Sequence, residues 1–284
     1  MSTLLNLSGM IEPQTVEVLE NVDRIIAGLG MPYVIVGATA RDLVLHYGYS
    51  AALQRATRDV DFAIEVPDWH AFDTLRNRLA EQGFRRTSAQ HRLISPSDVV
   101  VDIIPFGRLE DELAFIAWPP KGEVVMNVLG FQEAYDNAEW VRIQESPELD
   151  VPVVTPRGMM LLKLIAWADR ARDIRVKDAQ DIAYLLASYE VIPAVRDELY
   201  EHEQIMELYG WDQTLGCAHM LGKHARKIAG KNTSAMISRL TNGELDGRSR
   251  ERLIDEMCTP HVKSQYEQNR RLLSAFLAGF GVGV

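Results

Sequence analysis

Three aspartates offer the clearest chemistry in this sequence. Asp59 and Asp61 stand in Asp59-Val60-Asp61-Phe62-Ala63-Ile64, where alternation predicts a strand. Val60, Phe62 and Ile64 then point into a core, and the two carboxylates point together the other way. Like charges on one face repel, and a divalent cation resolves the conflict. Mg²⁺ is a hard ion that takes one or two carboxylates and fills its other positions with water and phosphate. Asp102 interrupts the apolar run Val99-Val100-Val101-Asp102-Ile103-Ile104. A charge inside such a strand is paired or binds metal, because burying it alone costs several kcal/mol. If the two strands lie side by side, the acids form a cluster suited to two metal ions roughly 3.5–4 Å apart. The ordinary readings are a solvated strand edge for Asp59 and Asp61, and a salt bridge to an arginine for Asp102.

A second feature favours the metal reading. Val34-Ile35-Val36-Gly37-Ala38-Thr39-Ala40-Arg41 runs strand, glycine, helix. The free N–H groups at such a junction, with the helix dipole, make an anion site. Gly37 lets the backbone approach a phosphate, and Thr39 offers it a hydroxyl or caps the helix; a plain tight turn with a capping threonine is the alternative. No G-x-x-x-x-G-K-[ST] occurs, and Gly28-Leu29-Gly30 is followed by Tyr33 where a dinucleotide fingerprint needs glycine.

Lys163 breaks the apolar stretch Met159 to Trp167. Its ammonium either snorkels to water or meets a nucleotide phosphate. Asp178 and Asp181 share one helix face at i, i+3. They either pair with Arg170, Arg172, Arg175 or Lys177 as a structural network would, or one orients Lys163; Asp181 is read as structural, and Asp178 is kept as a site candidate. His219 and His224, at i, i+5, fall on different helix faces, which argues against a metal site. The groups Arg170-Arg172-Arg175-Lys177, Lys223-His224-Arg226-Lys227-Lys231 and Arg248-Arg250-Arg252 read as solvated helix faces, or as a track for RNA phosphates if they converge.

The elements around these residues change character near position 155. Before it, helices at about 12–29, 40–47 and 69–82 alternate with strands at about 33–36, 60–66, 91–94, 99–104, 123–127, 140–143 and 151–154. After it, helices follow at 156–170, 177–188, 193–208 and 214–230, with two more to the end. The expected architecture is α/β, a mixed-sheet domain over 1–155 followed by a helical domain over 156–284. The 284 residues are 47% apolar and 25% charged, as in an ordinary globular protein. A formal net charge of −10 excludes a whole-surface affinity for nucleic acid. The absence of a signal peptide, a membrane-spanning run and a cysteine framework gives a cytoplasmic expectation.

Taken in order, these segments resemble the DNA polymerase β-type nucleotidyltransferase superfamily, and more narrowly the AbiEii/AbiGii toxin-type nucleotidyltransferases that include the MenT toxins. The resemblance rests on Val36-Gly37-Ala38-Thr39-Ala40, on Arg55-Ala56-Thr57-Arg58-Asp59-Val60-Asp61-Phe62 and on Val101-Asp102-Ile103-Ile104. It continues through Val154-Thr155-Pro156-Arg157-Gly158, Lys163-Leu164, Asp169-Arg170 and Lys177-Asp178-Ala179-Gln180-Asp181-Ile182. It implies a nucleotidyltransferase-type mixed sheet with a helical partner domain. Asp59, Asp61 and Asp102 would hold Mg²⁺, and Gly37, Ala38 and Thr39 would take the triphosphate. Lys163 would assist, with Asp178 or Asp181. NMP would move from an NTP to an acceptor hydroxyl, with tRNA the expected acceptor and a cognate antitoxin the expected partner. Gly37-Ala38 replaces the usual Gly-Ser or Gly-Gly, which weakens the phosphate role of Ala38. The same turn is similar to that of tRNA CCA-adding enzymes, but their later Arg-Arg-x-Asp signature is absent. Transfer to a small antibiotic-like hydroxyl, and an inactive nucleotide- or partner-binding relative, are the alternatives.

Overall fold

The computed structural model describes residues 4–54, 59–245, 247–259 and 264–282. Arg55 to Arg58, part of the stretch that carries the resemblance, lie outside the described residues. The chain divides into two compact units, Met1–Thr155 and Pro156–Val284.

The first unit is built on strands β1 (Leu5–Asn6), β2 (Tyr33–Val36), β3 (Asp59–Glu65), β4 (Arg85–Arg86), β5 (Arg92–Ile94), β6 (Val100–Phe106), β7 (Phe115–Ala117), β8 (Val125–Asn127), β9 (Glu139–Glu145) and β10 (Glu148–Val153). Eight of them form one mixed sheet in the order β1-β9-β10-β2-β3-β6-β5-β4, and β7 and β8 pair separately. The centre is β2 antiparallel to β3, with β3 parallel to β6. Parallel partners need a long crossover, and helix α3 (Trp69–Glu81) lies on the path from β3 to β6. Asp68 caps α3 by accepting from the Ala71 N–H at 2.8 Å. Helix α1 (Pro13–Leu29) buries Val18, Leu19, Val22 and Ile26 at helical spacing, and Gly30 closes it in the left-handed conformation. After β2 a short helix α2 (Gly37–Arg41) passes into a π-helical stretch, Asp42–Gly48, where the sequence predicts one plain helix. Helix α4 (Phe131–Asp136) and the short strands β1, β4 and β7 carry no periodic signal.

The second unit is helical: α5 (Pro156–Asp169), α6 (Arg172–Ser188), α7 (Pro193–Tyr200), α8 (Glu203–Leu208), α9 (Gln213–Ile228), α10 (Lys231–Thr241), α11 (Arg250–Met257) and α12 (Ser264–Phe280). The single helix expected over 193–208 is two, and among the described residues three helices stand at the end where two are expected. Helices α9 and α12 touch through glycines. A Cβ on Gly222 would lie 2.0 Å from the Phe276 carbonyl oxygen, and one on Gly279 2.0 Å from that of His219. His219 and His224 each have a partner of their own. The Tyr209 hydroxyl lies 2.9 Å from His219 Nδ1, while His224 lies between Tyr189 and Glu198 at 2.8 and 2.9 Å.

Candidate active site

Register decides which side chains meet. Asp61 lies opposite Asp102 across the parallel β3–β6 pair and opposite Val36 across β2–β3. Residues directly opposite share a face, as do alternate residues of one strand. Asp59, Asp61 and Asp102 therefore stand on one face of the sheet. Val60, Phe62 and Ile64 fill the other, at most 2% exposed. One carboxylate oxygen from each acid can be chosen so that all three lie within 4.8 Å of one another. Three hard oxygen donors at that spacing fit a divalent metal and could hold one.

Gly37 is pressed against this cluster. Its φ is +72°, and a Cβ built there would fall 2.0 Å from Asp61 Oδ2. Only glycine satisfies both the left-handed backbone and the close approach. Thr39 does something other than the sequence leads one to expect. Its hydroxyl donates to the main-chain carbonyl of Asp59 at 2.6 Å, and the residue that precedes α2, Val36, makes no side-chain cap. The hydroxyl proton is thus spent on tying the glycine turn to the strand that carries the acids. Ala38 sits half-buried in the first turn of α2.

Asp102 is held by a residue that the sequence reading passed over. Arg92 lies opposite it across the antiparallel β5–β6 pair. Arg92 Nε donates to Asp102 Oδ1 at 2.8 Å, and Nη2 to Oδ2 at 2.6 Å. These hydrogen bonds raise the guanidinium pKa against the opposing effect of burial, and the fields of Asp102, Asp59 and Asp61 add to them. The salt bridge and the acidic cluster, posed as alternatives for Asp102, coexist. The available signal was Arg92 beside Leu93 in a strand next to an acid-bearing one. Neighbouring His91 is lowered by burial and by Arg92, against the pull of Asp102. The acids do not line the cavity of about 300 Å³ bounded by Tyr49, Trp140, Val141 and Val153. By register Val141 and Val153 share the sheet face opposite to Asp61.

Lys163, Asp178 and Asp181 meet in the second unit. The Lys163 ammonium lies 3.0 Å from Asp178 Oδ1 and 2.7 Å from Asp181 Oδ2. Arg170 Nη1 also reaches Asp178, at 2.9 Å. Both carboxylates are 1% exposed. Lys163 therefore does not snorkel, and Asp181 is not set apart from Asp178 as expected: both share the one ammonium. Burial alone would lower the lysine pKa, but Asp181 and then Asp178 outweigh it and hold it above the ordinary value. Part of the basic groups is drawn inward as well. Arg175 is buried on Glu256, its bonds 2.8 and 2.7 Å long, and Arg248 donates to the Ala168 and Arg170 carbonyls at the end of α5. Arg172, Lys177, Arg226, Lys227, Lys231 and Arg252 remain exposed.

A model of the family described as "Nucleotidyl transferase AbiEii toxin, Type IV TA system" matches residues 22–274. Comparison with curated proteins finds no match. Among solved structures, the chain is similar to an antigenic nucleotidyltransferase-like protein from Paracoccidioides brasiliensis. The identity is 18% over 60% of this chain and 74% of that one, with a TM-score of 0.37. It is similar to the antibiotic-resistance factor ANT(2'')-Ia at 12% identity over 70% and 98% of the two chains, TM-score 0.37. A CCA-adding enzyme from Thermotoga maritima, complexed with tRNA, aligns at 12% identity over 97% and 84%, TM-score 0.28.

Proposed function

The chain belongs to the AbiEii nucleotidyltransferase family, and from that premise we propose that it is a Mg²⁺-dependent, toxin-like enzyme that moves NMP from an NTP to an acceptor hydroxyl of tRNA. The observation that carries this reading is the gathering of Asp59, Asp61 and Asp102 on one sheet face, against the Gly37 turn.

Mg²⁺ held by these acids would neutralise the triphosphate and the charge that develops at the α-phosphorus. The chain's own part is positioning and electrostatics. Gly37 and Ala38 present main-chain N–H groups to the triphosphate. Thr39 fixes the Asp59 main chain through its carbonyl. The acceptor oxygen attacks the α-phosphorus in line, and its O–P bond forms as the bond to the β-phosphate bridge breaks. Pyrophosphate leaves with the electron pair, and the hydroxyl proton passes to an Asp102 oxygen. Lys163 and Asp178 enter through the family resemblance. Asp178, with Asp181, holds and orients the Lys163 ammonium. Among the described residues no helix is long and apolar enough to cross a membrane, in keeping with a cytoplasmic enzyme paired with an antitoxin.

The test is incubation of the purified chain with each α-labelled NTP, Mg²⁺ and, separately, tRNA, protein or a small aminoglycoside-like acceptor. Label retained on tRNA with release of pyrophosphate is the expected result. Label on the small acceptor would replace the acceptor assignment. No label on any acceptor, with no pyrophosphate released, would overturn the proposal.

A further inference from the structure

The acid that would complete the metal site already holds a cation of the protein's own. Both oxygens of Asp102 accept from Arg92, a two-bond pairing whose planar fork matches the carboxylate. A metal ion taking an Asp102 oxygen at bonding distance would meet the guanidinium on the same atom. Both are cations, so they compete for it. The two partners differ in freedom: the Asp102 side chain is 10% exposed and the Arg92 side chain 43%. Asp102 is fixed in the centre of β6, whereas Arg92 lies on the short three-residue strand β5 and can swing into water without unpacking the core.

We propose that Arg92 is the resident counter-ion of the acidic cluster and competes with divalent metal for Asp102, so that it sets the metal concentration at which the site fills. This rests on the reading of Asp59, Asp61 and Asp102 as a metal site. Asp59 and Asp61 offer a metal its first hold, and Asp102 joins only as Arg92 releases an oxygen. In this role Arg92 is a positioning residue, acting through Asp102.

The experiment measures Mn²⁺ binding to the full chain without nucleotide, by the loss of the free-ion electron paramagnetic resonance signal. It compares wild type, Arg92→Gln, Arg92→Lys, Asp102→Asn and the Arg92→Gln/Asp102→Asn double variant. Arg92→Gln is expected to bind Mn²⁺ about ten-fold more tightly than wild type. Arg92→Lys, which keeps the charge but loses the fork, should fall between the two. In the Asp102→Asn background the gain from Arg92→Gln should shrink to the small part that Arg92 exerts through space on Asp59 and Asp61, since the contested carboxylate is gone. If Arg92→Gln does not fold, Arg92→Lys carries the test and must still bind more tightly than wild type. Binding by wild type that Arg92→Gln leaves unchanged or weakens would overturn the inference while leaving the metal site standing. Absence of Mn²⁺ binding in every variant would overturn both.

Discussion

Two charge clusters, one in each unit, are built from the same kinds of residue and behave differently. In the second unit, Asp178 and Asp181 are 1% exposed and share the Lys163 ammonium, which comes from a neighbouring helix. That arrangement is closed. Each carboxylate has a cation, and the pairing ties α5 to α6. In the first unit, three acids lie on one face of a sheet, with Arg92 at the rim and 43% exposed. Closed clusters report mainly on stability, because a partner left alone in the interior costs far more than a surface pair. Carboxylates gathered on one face present several hard oxygens that an incoming divalent cation can bridge. Removing charge from each cluster should therefore hit a different observable.

The largest effect separates them most sharply. Asp59→Ala with Asp61→Ala is expected to lower NMP transfer by about a thousand-fold or more while the thermal midpoint stays level or rises. A steady-state assay and a melt on the same sample check both halves. Lys163→Met should do the opposite on the stability axis, costing about 3 kcal/mol by leaving buried carboxylates without their ammonium, as measured by urea unfolding. The folded Lys163 pKa lies above its ordinary 10.5. Its pairing is therefore fully present below that value and fades only as pH rises through the raised one. The stability gap between wild type and Lys163→Met should accordingly stay constant from about pH 7 to pH 9. A gap that shrinks over that window would remove the distinction between the two clusters.

Gly37→Ala sharpens the comparison at the open cluster. The new methyl would meet Asp61 Oδ2 at 2.0 Å, on a backbone at φ +72°. Strain of about 1–3 kcal/mol follows, with transfer lowered about ten- to a hundred-fold as the carboxylate is pushed aside. Activity falling in step with stability alone would count against the contact as a site feature. The smallest effect belongs to Thr39→Val, which deletes the 2.6 Å bond to the Asp59 carbonyl. It should cost about 1 kcal/mol and slow transfer only a few-fold, with KM for the NTP moving less than kcat.

What the sequence made legible follows from what its patterns encode. Alternation around Asp59 and Asp61 marked both the strand and the shared face, because a period of two ties orientation to position. Asp102 stood out because one acid interrupts an apolar run. Pairing was another matter. That β3 runs beside β6 is a fact of pairing between distant segments, and no local spacing records it. Arg92 falls opposite Asp102 across two strands joined by a short turn, where local spacing did carry a signal. The break between α7 and α8 was invisible for a related reason. Val195, Leu199 and Met206 are buried on both sides of it and keep helical phase across it. Thr39 showed as a polar residue at a helix start, but its bond reaches twenty positions along the chain. In the second unit, i, i+3 spacing placed Asp178 and Asp181 on one face; that both would take the same lysine depended on how α5 packs on α6.

Mn²⁺ titration of the full chain against Asp59→Asn, Asp61→Asn and Asp102→Asn tests most directly whether these acids act together on a cation. Each neutralised carboxylate is expected to weaken binding while the fold, followed by circular dichroism, is retained. Binding indifferent to all three substitutions would contradict the account.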